Sequence, residues 1–105
     1  MRLQPKEVDA IVQAARDAFA PGTEVFLFGS RLQDGARGGD IDLLVETPEA
    51  MSPAELVQRR TRFVSRIYRA LDEQRIDVVI ATQGQQDSRA VVAMAKREGL
   101  KVAQV

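Results

Sequence analysis

Apolar residues recur along this chain at two different spacings, and these spacings divide it into seven segments. Between residues 5 and 19 they stand three and four apart, as in an amphipathic helix, and Pro21-Gly22 ends the segment. Short runs rich in aromatic and branched residues predict strands instead. The predicted helices cover residues 5–19, 53–72 and 88–98, and the predicted strands cover residues 24–28, 40–46, 75–81 and 100–105.

The order of these segments predicts an α/β (α+β) architecture. About 11 residues join the first two strands, too few for a packed crossover helix, so these strands are expected to be antiparallel neighbours. The last strand is expected at a sheet edge. We therefore predict a mixed four-stranded sheet with helices packed on one side, formed by a single domain over residues 1–105.

Composition narrows the chemistry more than the fold. The chain has no cysteine and no histidine, which excludes disulfides, thiolate metal sites and the commonest general base. Fifteen Lys and Arg balance fifteen Asp and Glu, so no net charge favours nonspecific binding to nucleic acid. The sequence has no stretch long and apolar enough to span a membrane, and its start lacks a signal-peptide core, so we expect a cytoplasmic protein.

Two aspartates stand at the start of the second predicted strand, where carboxylates are unfavourable. Asp40 and Asp42 are expected to point to the same face of that strand, with their Cβ atoms about 6–7 Å apart. Carboxylates at this spacing can converge on one divalent cation or bridge two, and an all-oxygen donor set favours magnesium or manganese. Asp77 lies in the same setting in the third strand. A divalent cation would relieve the repulsion among the three acids.

A glycine and a serine follow the first predicted strand. Gly29 lets the backbone approach a ligand closely, and the Ser30 hydroxyl and neighbouring amides can hold phosphate oxygens. The stretch is not a Walker A loop, because no Gly-Lys-Ser/Thr follows it. A phosphate site beside a carboxylate metal site favours nucleotidyl transfer. Gly35, Gly38 and Gly39 are interpreted as turn residues.

The motifs FGS at residues 28–30, DID at residues 40–42 and IDV at residues 76–78 together resemble the nucleotidyltransferase superfamily that includes DNA polymerase β. The short chain, the GSR opening and the AKREGL ending at residues 95–100 are similar to the minimal nucleotidyltransferases, the MNT group. Many of these act as antitoxins beside HEPN-domain toxins. The chain departs from many relatives in the RGG before its DID motif, where they carry a proline and a polar residue.

The resemblance implies a role for each matching residue. Asp40 and Asp42 would hold magnesium, and Asp77 would complete the site and activate the acceptor hydroxyl. Gly29 and Ser30 would bind the triphosphate of ATP, assisted by Arg31. The implied reaction transfers AMP from ATP to a hydroxyl of a partner HEPN toxin. Two alternatives remain: an antitoxin that neutralises its partner by binding alone, and an enzyme that modifies a small molecule.

Arginines are concentrated in the second predicted helix. Arg59, Arg62, Arg66 and Arg69 fall within about 80° of one another on a helical wheel. This arginine stripe is interpreted as a solvated face, with a docking surface for an acidic partner or RNA as the alternative. Arg60 falls on the apolar side of the same helix, where we expect its aliphatic stem to lie along the apolar surface.

Overall fold

The computed structural model describes residues 3–29, 41–71 and 75–105. Its helices are α1 (Pro5–Ala18), α2 (Pro53–Ala70) and α3 (Ala90–Glu98), and its strands are β1 (Glu24–Phe28), β2 (Ile41–Thr47), β3 (Ile76–Thr82) and β4 (Leu100–Gln104). Each element begins and ends within two residues of the predicted bounds. No helix in the described part of the chain is both long enough and apolar enough to cross a membrane.

The four strands form one mixed sheet in the order β3-β2-β1-β4. Strand β1 pairs antiparallel with both β2 and β4, whereas β2 and β3 are parallel and are connected through α2. The predicted antiparallel neighbours and the C-terminal edge strand are therefore confirmed. Because β1 enters antiparallel, its C-terminal end lies beside the N-terminal ends of β2 and β3.

The two faces of the sheet carry separate apolar clusters. Helices α1 and α2 cover one face, where the fully buried residues include Leu27, Leu43 and Phe63. Helix α3 covers part of the other face, where Val92 and Ala95 pack with Leu44. The expectation that all helices pack on one side is thus wrong for α3. The physical reason is that β2 is apolar on both faces, so both need cover.

Helices α1 and α2 are held together by a ring contact and by arginines. The Phe19 and Phe63 ring centroids lie 5.2 Å apart. Arg62 donates to both carboxylate oxygens of Asp17, at 3.0 and 3.3 Å, and Arg66 lies 3.6 Å from the same group. The Arg62 hydrogen bond lowers the pKa of Asp17 and raises that of Arg62. Much of the arginine stripe therefore serves the contact between these two helices.

The outer edge of β3 is capped by two arginines. Arg60 Nε donates to the Val78 carbonyl at 3.3 Å, and Arg89 Nη2 donates to the Ile80 carbonyl at 2.7 Å. These two carbonyls belong to residues two apart in β3, so both point to the same side of the strand, away from β2. The Arg60 guanidinium therefore contacts the edge of β3, a role that the sequence did not predict for this residue. Side-chain donors at a sheet edge also hinder pairing with another chain.

Helix α3 begins two residues later than predicted, and its N-cap residue is Arg89. The Asp87 carboxylate accepts hydrogen bonds from the backbone and the guanidinium of Arg89, at 2.7 to 3.0 Å. The bond from the Arg89 side chain is the main reason why the pKa of Asp87 falls to about 2. Asp87 thus holds the arginine that caps the edge of β3.

Candidate active site

Asp42 and Asp77 lie side by side on neighbouring strands. They are direct partners in the parallel pairing of β2 with β3. Paired residues on adjacent strands point to the same face, with backbones about 4.8 Å apart. That face is the one covered in part by α3, because Leu44, two residues beyond Asp42, belongs to the α3 cluster. Asp42 is half-buried and Asp77 is exposed, so two carboxylates reach solvent at one end of the sheet.

Gly29 forms the third part of this arrangement. It follows Phe28, which is the β1 partner of Asp42, and its φ of 79° is in the left-handed region. A Cβ added at Gly29 would meet the Asp42 carboxylate, with the carboxyl carbon 3.1 Å away. The absence of a side chain therefore has two reasons: the backbone conformation, and the close approach of Asp42 to the main chain.

The remaining predicted site residues, Ser30, Arg31 and Asp40, lie outside the described residues. Within residues 3–29, 41–71 and 75–105, no group of three or more acidic side chains could hold a metal ion. The described part of the proposed metal site is the Asp42–Asp77 pair. It offers hard oxygen donors in a chain without histidine or cysteine, a donor chemistry that fits magnesium.

A second acidic pair lies on the same face, at the other end of the sheet, and was not recognised in the sequence. Glu24 and Glu46 are partners in the antiparallel pairing of β1 with β2. Each is bound by a lysine: Lys101 Nζ lies 2.7 Å from Glu24, and Lys96 Nζ lies 3.2 Å from Glu46. Only the strand register reveals this pair, because the two glutamates are far apart in sequence.

An open depression of about 460 Å³ lies away from both aspartates. It is lined by the end of α1, the segment that follows β2 and the first turns of α2, including Phe19, Met51 and Arg59. Arg59 is already bound there by Glu55 and by the Ala18 carbonyl, at 3.0 and 2.9 Å. Its charged lining residues are Glu49, Glu55 and Arg59, and neither Gly29, Asp42 nor Asp77 lines it, so we keep the candidate chemistry at the Asp42–Asp77 end.

The arrangement joins a glycine turn at the end of one strand to acids on the next two. A family model described as a nucleotidyltransferase domain matches residues 8–100, which include Gly29, Asp42 and Asp77. The chain belongs to this nucleotidyltransferase family. No curated protein matches the sequence.

Three solved toxin–antitoxin structures contain chains with a fold similar to this nucleotidyltransferase domain. One holds the tri-AMPylated HEPN toxin of Shewanella oneidensis with an MNT antitoxin; the match has a TM-score of 0.63 and 18% identity and covers 98% of this chain and 74% of that chain. The MntA–HepT complex matches with a TM-score of 0.61, 18% identity and coverages of 97% and 74%. A toxin–antitoxin structure with AMP-PNP matches with a TM-score of 0.61, 20% identity and coverages of 93% and 73%.

Proposed function

We propose that this nucleotidyltransferase domain is a metal-dependent enzyme that transfers AMP from ATP to a hydroxyl group of a partner protein. The observation that carries the proposal is the register of Asp42 with Asp77, directly beside the left-handed turn at Gly29. Family membership supports the reaction class. In this reaction the acceptor oxygen bonds to the α-phosphorus, the bond to the β-phosphate oxygen breaks, and pyrophosphate leaves.

Each acid has a role in this proposal. Asp42 and Asp77, with Asp40, would hold two Mg²⁺ ions, because carboxylate oxygens are the donors that this ion prefers. When bound, magnesium neutralises phosphate charge and so lowers the barrier to attack at phosphorus. Asp77 is exposed on the edge strand β3, where it can accept the proton of an incoming hydroxyl.

The turn after β1 would hold the triphosphate. Gly29 is in a left-handed conformation at the end of β1, and a glycine at this position would allow phosphate oxygens to approach the main chain closely. Ser30 would donate its hydroxyl, and Arg31 would add a guanidinium, which suits phosphate geometry. These groups would bind and orient ATP so that its α-phosphorus lies next to the aspartates.

The acceptor that we propose is a side chain of a HEPN-type toxin, so that the domain acts as a cytoplasmic antitoxin. Two of the similar structures support this acceptor and donor. One is of an AMPylated HEPN toxin bound to an MNT antitoxin, and another is of a toxin–antitoxin with AMP-PNP. The partner is thus proposed from the similar structures, which are toxin–antitoxin structures. The site residues are proposed from the strand register.

Calorimetric titration of ATP into the whole chain tests the metal-dependent site without requiring a partner. In the presence of Mg²⁺ we expect binding that is lost when EDTA is added. Asp42→Asn should weaken Mg²⁺-dependent binding by about tenfold or more, since a charge that holds the ion is removed. Asp87→Asn is the matched control, because Asp87 binds Arg89 and not the site. Equal ATP affinity with Mg²⁺ and with EDTA would overturn the metal-dependent proposal.

A further inference from the structure

Helix α2 exposes apolar side chains on the side that lies away from α1. Val57 is 63% exposed and Tyr68 is 44% exposed, and these are two of the three large hydrophobic residues exposed in the described part of the chain. They are joined on the same side by Thr61, which is exposed, and by Val64, which is partly buried against the core. Val57, Thr61, Val64 and Tyr68 are spaced four, three and four apart, so they fall within about 60° on a helical wheel. We refer to these four residues as the α2 strip.

The charges of α2 avoid this strip. The helix carries five arginines and one glutamate, and all except Arg60 fall in an arc of about 80° that includes the contacts to α1. Between Arg60 and Arg69, about 180° of the surface has no charge. Depletion of charge around exposed apolar side chains is typical of the core of a protein–protein interface. A merely solvated face would have no reason to exclude charge from this half alone.

The borders of the strip indicate what covers it. Arg60 lies on one border, and Arg69 and Arg62 lie on the other. Arg60 uses Nε to cap β3 and Arg62 binds Asp17, but a guanidinium has five N–H donors and both side chains are exposed. A second copy of the chain, packed strip to strip, would bring arginine against arginine. A helix with acidic residues beside its apolar seam would complement the same borders.

The strip also leads to the candidate active site. Helix α2 runs from the C-terminal end of β2 back to the N-terminal end of β3, so Tyr68 lies at the end of the molecule where Asp42 and Asp77 stand. Strand β3 is a sheet edge and Asp77 is exposed. A partner that lies along the strip would therefore reach past the edge of β3 toward the aspartates.

We infer that the α2 strip is the docking surface for the acceptor protein, which presents an amphipathic helix whose apolar seam is flanked by carboxylates. This inference rests on the proposed function for the identity of the partner as acceptor. The binding step itself needs neither ATP nor metal, so the two proposals can fail separately.

The test uses fluorescent helical peptides and the whole chain, without ATP or Mg²⁺. Two peptides of about three heptads share a leucine seam and differ only in the flanking positions, which are glutamate in one and lysine in the other. We expect the glutamate peptide to bind at least about tenfold more tightly by anisotropy, and its affinity to fall as salt is raised. Equal binding of the two peptides, or no binding of either, would overturn the inference.

Surface variants locate the binding. The double variant Val57→Ser, Tyr68→Ser should lose about tenfold or more in affinity for the glutamate peptide, and Arg60→Gln should lose less. Leu100→Ser is the matched control, because Leu100 is 46% exposed but lies in β4, at the opposite edge of the sheet. Circular dichroism should show that all variants are folded. Sedimentation of the wild type as a dimer that the double variant abolishes would overturn the inference in favour of self-association.

Asp42→Asn separates the two proposals. If it loses Mg²⁺-dependent ATP binding but binds the glutamate peptide like the wild type, both proposals are supported. If the wild type binds ATP with Mg²⁺ but neither peptide, the docking surface is wrong and the proposed function stands. If the glutamate peptide binds at the strip but ATP does not bind with Mg²⁺, the strip remains a docking surface and the catalytic role is wrong.

Discussion

The face of the sheet that carries α3 has a pair of acids at each end, and the two pairs differ in how their charge is balanced. At one end, Glu24 and Glu46 are bound by Lys101 and Lys96 of the same chain. At the other end, no lysine or arginine among the described residues forms an ion pair with Asp77.

Side-chain length suits each pair to a different purpose. The longer glutamates reach lysines on α3 and β4 and thereby link the sheet to its surroundings. The short aspartates stay close to the backbone, and the missing side chain of Gly29 leaves room for the Asp42 carboxylate. Glu24 and Glu46 are thus satisfied within the fold, whereas the Asp77 carboxylate is proposed to be satisfied by binding. The following experiments test this difference.

The largest expected effect is on activity, in Asp42→Asn. The amide keeps the size of the side chain and removes a charge that is proposed to hold a catalytic metal, and such a metal can be worth several kcal/mol in the transition state. Transfer of labelled AMP from ATP to the partner should fall by about 100-fold or more. Without metal, the thermal midpoint should be unchanged or raised, because repulsion between Asp42 and Asp77 is relieved.

Glu46→Gln is the control for that experiment, since it neutralises an acid of the other pair. It should keep AMP transfer and lose stability instead, because Lys96 then lacks its partner.

Full neutralisation of the toxin in cells by Asp42→Asn, at matched expression, would contradict the catalytic role. It would leave an antitoxin that acts by association alone.

The second prediction compares two glycines with similar backbone conformations. Gly29 and Gly84 have φ values of 79° and 75°, but an added Cβ would meet the Asp42 carboxylate at Gly29 and nothing within 4 Å at Gly84. Gly84→Ala should cost about 1 kcal/mol in the free energy of unfolding, for backbone strain alone. Gly29→Ala should cost about 2–3 kcal/mol, because Asp42 must also move. Urea unfolding measures both free energies. Equal losses would show that the Cβ added at Gly29 does not displace the Asp42 carboxylate.

The third prediction concerns the lysines of the glutamate pair. The Glu46 side chain is 11% exposed and that of Glu24 is 24% exposed, and Gln83 Nε2 lies 3.4 Å from Glu24 as a second donor. Lys96→Met should therefore cost about 1–2 kcal/mol in unfolding free energy, between the values for exposed and buried pairs. Lys101→Met should cost less than about 1 kcal/mol. A larger loss of unfolding free energy in Lys101→Met than in Lys96→Met would contradict the expectation that Glu46 depends more on its lysine than Glu24 does.

The sequence was sufficient to predict the features that depend on local pattern. The bounds of β1, the antiparallel pairing of β1 with β2 and the equivalent settings of Asp42 and Asp77 all follow from residue spacing and loop length. The position of α3 was missed, although a signal existed: Leu44 between Leu43 and Val45 makes β2 apolar on both faces.

Other features depend on register and could not be read from spacing. The Glu24–Glu46 pair exists only because β1 and β2 meet at those residues. Likewise, nothing in a helical wheel shows that Arg62 meets Asp17 of another helix, or that Arg60 meets the carbonyl of Val78. These contacts reassigned much of the arginine stripe to the fold and left the uncharged side of α2 as the surface that requires an explanation.

The smallest expected effect extends the comparison to an acid that is held by arginine. The pKa of Asp87 is lowered to about 2, mainly by the hydrogen bond from Arg89, against an ordinary value of 3.8. A depressed pKa in the folded state adds stability above the unfolded value, and this stability is lost as pH falls from about 4 to about 2. The urea midpoint of the wild type should therefore drop more steeply over this range than that of Asp87→Asn, which has no carboxylate to protonate. Above pH 5 the two curves should run parallel. Parallel curves throughout the acid range would show that the Asp87–Arg89 contact contributes nothing to folding and that the edge of β3 is held by other groups.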